Sequence, residues 1–206
     1  MGLVHRRDRR PVFGERSGMI LLASASPRRR RLLKEAGLHF RVVKPSYHEK
    51  RIAGASPERL TRTHAVGKAA SVARHVQDGT ILAADTVVAF RGRILGKPKS
   101  LSGARRMLGA LCGHWHRVVT GVALVQVRKG KAVRRKVFTQ STRVFLKDLP
   151  GKKLDAYLRR IRPLDKAGSY AIQSRRDCLV GDWKGSFTNA VGLPMEELKK
   201  ALRVLR

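Results

Sequence analysis

Apolar residues recur along this chain with two different periods. Met19 to Ala23 is a short aliphatic run that reads as a buried strand, and Ser24-Ala25-Ser26-Pro27 reads as a loop entering a helix. Ser26 is placed to cap that helix, and Pro27 suits its first position. Leu32, Leu33 and Ala36 make its apolar stripe, and Gly37 its stop. A second strand is predicted over 38–44, and a long helix from Pro57 to about residue 77. The run 80–90 is aliphatic and β-branched, which predicts a central strand turned at Arg91-Gly92-Arg93. Ser100 opens another helix, with Ala104, Met107, Leu108 and Leu111 inward and Gly113 at its end. Two alternating strands, 116–127 and 132–146, meet at a Lys129-Gly130 turn. Residues 154–161 read as helix with Pro163 as a stop, 169–173 and 177–183 as short strands, and Pro194 as the start of a last helix.

Helices alternate with strands, but hairpins are interspersed. The predicted fold class is therefore α/β, with a mixed twisted central sheet and flanking helices. No repeat or linker divides the chain, so residues 19–206 read as a single domain of a size that buries a substantial core. Residues 1–18 hold Arg6, Arg7, Arg9, Arg10 and Arg16 without a signal-peptide apolar block, and read as a solvated basic tail.

Charge narrows the ligand class. Lys and Arg number 46 against 14 Asp and Glu, for a formal net charge of +32. Such a field attracts polyanions, from nucleotides to nucleic acid, without choosing among them. A hydrophobic fraction of 42% excludes a disordered chain, and no apolar run approaches the length of a membrane span. Cys112 and Cys178 lie far apart with no metal-ligand spacing; they read as small core residues of a protein in a reducing compartment, the cytoplasm.

Against so much positive charge, an acid inside a strand stands out. Asp85 lies in Leu82-Ala83-Ala84-Asp85-Thr86-Val87-Val88, where a carboxylate is costly unless paired or put to use. Lys97 follows on Gly96-Lys97-Pro98, across a hairpin. Ser24, Ser26, Arg28 and Arg29 surround a helix start, where hydroxyls, guanidinium forks and free backbone N–H groups suit phosphate oxygens; a capped basic helix explains the same residues. Gly92-Arg93-Ile94-Leu95-Gly96-Lys97-Pro98 imitates a Walker loop but is not one. Only three residues separate its glycines where that loop has four, and Pro98 replaces the magnesium-binding hydroxyl. Glu49 and Asp85, two scarce carboxylates, suit a hard divalent cation, and one of them can take a proton from water. His114 and His116 lack a third ligand and read as structural. Gln173, at a predicted strand end, can pair with a nucleobase edge or with backbone.

These segments resemble the Maf family of nucleoside triphosphate pyrophosphatases from about Ile20 to Leu202. The resemblance rests on Ser24-Ala25-Ser26-Pro27-Arg28-Arg29, Ala84 to Val88, Gly96-Lys97-Pro98, His116 to Gly121, Asp165 to Gln173 and Val191-Gly192-Leu193-Pro194, in that order. It implies a two-lobed fold of the Maf and ITPase kind around a cleft. It also implies cleavage of a nucleotide between its α and β phosphates, a divalent cation (Mg2+ or Mn2+) and a possible homodimer. Asp85 would be the proton acceptor, with Glu49 and Asp85 at the metal. Ser24, Arg28, Arg29, Lys68, Thr86, Lys97 and Gln173 would bind substrate. The Arg28, Thr86 and Gln173 combination is similar to the subgroup acting on dTTP and UTP. The chain departs from the family pattern at Arg162, where a glutamate is usual, and at Ser100 and Gly103, where acids are common. With the excess charge, Arg162 motivates the competing reading, a nucleic-acid-binding protein on this scaffold with weakened catalysis.

Overall fold

A seven-stranded mixed sheet carries helices on both faces in the computed structural model, which describes residues 19–50, 52–172 and 179–205. In chain order the elements are β1 (Ile20–Leu22), α1 (Pro27–Glu35), β2 (Phe40–Val42), α2 (Pro57–Ala73), β3 (Gly79–Phe90), β4 (Arg93–Leu95), α3 (Leu101–Leu111), β5 (Trp115–Arg128), β6 (Lys131–Leu146), α4 (Gly151–Arg160), β7 (Val180–Lys184), α5 (Phe187–Val191) and α6 (Met195–Leu205). The strand order is β2-β1-β3-β5-β6-β7, with β4 added to β3. β1 runs parallel to β2 and β3, and the remaining pairings are antiparallel.

Alternation along β3 sorts its side chains between two cores. Ile81 and Ala83 pack with Ala65, Ala69 and Val72 of α2. Leu82, Ala84 and Val88 face the larger core, built with Leu33 of α1, Leu108 of α3, Leu154 of α4 and Leu198 of α6. Asp85 therefore emerges on the α2 side and Thr86 on the other.

The edge of β3 opposite β5 decides where a cleft forms. β1 covers that edge only at Thr80–Leu82, and β4 only at Val88–Phe90. Between them the strand is unpaired on one side while β5 continues along the other.

Serine caps and glycine stops place the helices. Ser56 accepts from the Arg59 amide at 3.1 Å and Ser100 from the Gly103 amide at 3.1 Å, so the two positions that depart from the acidic family pattern form the start of α3. Ser26 occupies the cap position of α1 without a side-chain cap bond, and Pro27 still opens the helix. Gly37, at φ +67°, turns the chain out of α1. The strand predicted over 169–173 is absent at 169–172. Two 3-10 turns with left-handed Gly168 and Ser169 curl the chain there, and Tyr170 turns inward instead of pairing. Helix α5 has too few residues for its periodicity to show in the sequence.

Tyr170 meets His116 at 2.7 Å between hydroxyl and Nε2, with the rings edge to face. Burial pushes the His116 pKa down to about 4. The unfolded chain then binds a proton that the folded one refuses between about pH 6.5 and 4, so stability falls as pH drops through that window. The expected loss is on the order of 3 kcal/mol. Urea unfolding at a series of pH values should show it, and His116→Gln should flatten the slope; an unchanged slope in the variant refutes the assignment.

Candidate active site

The gap in the β3 edge opens into a cavity of about 1640 Å³. Among the described residues its wall carries nine Lys or Arg side chains against Glu49, Asp85 and Asp165, a field suited to a polyanionic ligand. Ser24, Arg28, Arg29, Glu49, Lys68, Asp85, Thr86 and Lys97 all line it, drawn from separate parts of the chain. Gln173 lies outside the described residues.

Lys68 organises one side. Its ammonium, on α2, donates to Asp85 Oδ1 at 2.7 Å and pairs with Glu49 Oε1 at 2.6 Å, so two carboxylates flank one nitrogen. Lys68 and Asp85 are buried. Partial burial of Glu49 favours its neutral form, but the Lys68 hydrogen bond and charge, with His64 and Lys97 behind them, prevail and hold its pKa below the usual value.

Two glycines let this arrangement close. Gly121 of β5 stands directly opposite Asp85, and a Cβ there would lie 2.6 Å from the Arg62 amide nitrogen of α2. Its missing side chain lets the helix backbone settle on the sheet beside Asp85. Gly67 does the same for the loop bearing Glu49. The Tyr47 ring occupies the space a side chain at 67 would fill, and its hydroxyl bonds His64 Nδ1 at 3.1 Å. Residues 47–49 are thereby fastened to the turn of α2 that carries Lys68.

Arg29 organises the other side. It is buried and donates to Gly192 O, Ser24 Oγ, Ala84 O and Thr86 Oγ1, each at 2.9 Å. Four of its five N–H groups are thus committed to protein, and desolvation lowers its pKa to about 10. The Ala84 carbonyl it takes lies on the open edge of β3. Thr86 is held further by Thr120 Oγ1 at 3.0 Å.

Arg28 behaves differently. Half-buried at the cavity wall, it pairs with Asp165 Oδ1 at 3.2 Å and the Asp165 carbonyl at 3.1 Å. Lys166 holds the same carboxylate oxygen at 2.6 Å and the Arg162 carbonyl at 2.8 Å. Arg162 itself is exposed, so the substituted side chain points to solvent. Desolvation opposes ionisation of Asp165, but the Lys166 hydrogen bond and charge, followed by Arg28, lower its pKa.

Comparison with known proteins identifies the lineage. The sequence pattern of the Maf-like protein family matches residues 19–205. The chain belongs to that family. A Gloeobacter violaceus protein named dTTP/UTP pyrophosphatase is 47% identical over 176 residues, spanning 85% of this chain and 90% of the relative. Relatives of the same name from Methanosarcina barkeri and Bacillus cereus are each 40% identical, over 185 and 190 residues; they span 89% and 92% of this chain and 92% and 91% of their own. The Ham1 protein of Staphylococcus aureus shares the fold at TM-score 0.50 and 15% identity, covering 91% of this chain and 100% of that one. The α/β fold expected from the sequence is the one observed.

Sequence reasoning passed over four residues that shape this Maf-like site: Tyr47, His64, Gly121 and Asp165. Asp165 and Gly121 sat inside segments that carried the resemblance, and His64 lies one helical turn before Lys68, so each had a signal. Tyr47 had none, because its role depends on a glycine twenty residues later. Among the described residues no helix is long and apolar enough to cross a membrane.

Proposed function

We propose that this chain is a nucleoside triphosphate pyrophosphatase acting on dTTP and UTP, the substrates in the names of its relatives. The observation that carries the reading is Lys68 held between Glu49 and Asp85 at the wall of a cationic cavity, one residue along β3 from Thr86.

Asp85 takes one proton from water as the water oxygen attacks the α-phosphorus. The bond to the α–β bridging oxygen breaks, and pyrophosphate leaves with that oxygen. Lys68 orients the Asp85 carboxylate and, with Lys97 and Arg28, faces the negative charge of the phosphates. Arg29 acts through others by fixing Ser24 and Thr86 in place.

The donor set suits a divalent cation. Glu49 and Asp85 are hard oxygen donors whose Oε1 and Oδ1 already face the Lys68 ammonium, so a cation would be held by their other oxygens, and no group of three His, Cys, Asp or Glu forms among the described residues. Such a cation would take its other ligands from phosphate and water, the manner in which Mg2+ commonly binds. When bound, it would offset charge developing on the departing pyrophosphate.

Pyrophosphate release by the purified chain, measured across the common ribo- and deoxyribonucleoside triphosphates with Mg2+ or Mn2+, tests the reading. The expected result is a kcat/KM for dTTP and UTP at least about tenfold above that for purine nucleotides. Equal rates on all bases, or no release from any, refute it.

A further inference from the structure

The outer face of the β5, β6 and β7 sheet, beyond the start of α2, carries a second cationic surface. Arg117, Arg143 and Lys184 are direct cross-strand neighbours on three adjacent strands. Like charges set opposite one another destabilise a sheet. Only Arg117 has a carboxylate partner among the described residues, Glu58 at 2.8 Å. One row along, Trp115 lies opposite Phe145 with ring centroids 5.6 Å apart. Arg143 and Lys184 pack over the Trp115 ring, at 5.1 and 5.4 Å from its centroid.

Beside this row is a pocket of about 460 Å³, lined by Arg91, Arg93, Arg117 and Arg143 together with the Phe90, His114 and Trp115 rings. Among the described residues no carboxylate lines it. It is a place apart from Asp85 and Lys68, although the Gly92 to Ile94 turn forms a wall common to both cavities.

A row of three cations across a sheet, two of them without a carboxylate partner among the described residues and interleaved with aromatic rings, matches what an unpaired polynucleotide strand requires. Guanidinium and ammonium groups meet successive phosphates, and planar side chains stack with bases whose faces are exposed. Duplex offers no free base face to those rings. An acidic protein surface would meet the cations but not use the aromatic surface. We infer that this face binds single-stranded nucleic acid, independently of the chemistry in the main cleft. The charge of the chain strengthens association but does not create the patch, because among the described residues the cations that lie over rings, Arg91 on Phe90 and Arg143 and Lys184 on Trp115, all belong to it.

Trp115 reports on the site directly. The chain has two tryptophans, so Trp183→Phe leaves Trp115 as its one indole. Titration of that variant with a ten-residue oligothymidylate should quench its fluorescence saturably, and added salt should weaken the binding. Arg143→Glu should weaken it at least about tenfold. Arg135→Glu makes the same charge change on an exposed residue of β6, about 26 Å along the strand, and should weaken it less than about twofold. A non-hydrolysable dTTP analogue filling the main cleft should leave the quench intact. Equal losses in the two charge reversals would show a general counterion effect and overturn the inference. Competition by the cleft ligand overturns it as well, as does equal quenching by free thymidine monophosphate at matched phosphate concentration. None of these readouts needs turnover, so failure of the pyrophosphatase reading and failure of this one remain distinguishable.

Discussion

Replacing Asp85 with Asn is expected to lower turnover of dTTP by roughly a thousandfold, within the range general-base catalysis contributes. Asparagine keeps the size of aspartate and an oxygen for Lys68 to donate to, but it has no basic site for a proton from water. The ammonium keeps its second carboxylate, Glu49 at 2.6 Å, so removing one charge does not strand another in the interior. The variant should therefore unfold within a few degrees of the parent in a thermal scan. It should also still bind a non-hydrolysable dTTP analogue. A variant that keeps more than a tenth of the parent's kcat would remove Asp85 from the chemistry, whatever its position in the cleft.

Gly121→Ala should destabilise the protein by about 2–3 kcal/mol, the upper part of the range for overpacking a close-fitted interior. The added methyl group meets the backbone of Thr61 and Arg62, not the mobile end of a side chain, so relief requires moving α2 itself. Lys68 rides on that helix, and displacement would lengthen its contact with Asp85. Activity at a temperature where the variant remains folded should fall about tenfold, as small misplacements in a site of this kind cost rate steeply. Gly109→Ala supplies the contrast. Gly109 is exposed in α3, where a Cβ has only Leu154 nearby at 3.9 Å, and alanine there should leave stability unchanged or raise it by up to about 1 kcal/mol. Denaturant unfolding of the two variants separates a local close approach from a general effect of adding a methyl group. If Gly121→Ala is as stable as the parent, the helix does not rest on that strand as described.

The order of elements was legible because the patterns that produce them are local. The aliphatic run over 80–90, the proline opening α2, the serine before α3 and the glycine after α1 act on their immediate neighbours, and each works that way in the structure. The strand expected at 169–173 failed at 169–172 for the opposite reason. Its alternation suited a strand, but left-handed Gly168 and Ser169 turned the chain, and Tyr170 found His116, fifty-four residues back in the sequence. Gln173, expected to meet the base, falls outside the described residues.

Residue chemistry alone determined that this protein has a strand-borne acid amid cations, a mixed α/β architecture and a strongly positive field. Only the tertiary structure decided which partner engages each of these cations. Arg28 and Arg29 are adjacent in sequence, yet one reaches Asp165 at the cavity wall while the other is buried among Ser24, Ala84, Thr86 and Gly192. The same holds for Lys68, whose link to Glu49 and Asp85 depends on side chains missing at positions 67 and 121. The physical reason is range: propensity and capping act over a few residues, whereas hydrogen-bond partners and steric gaps come from segments that meet only once the chain has folded.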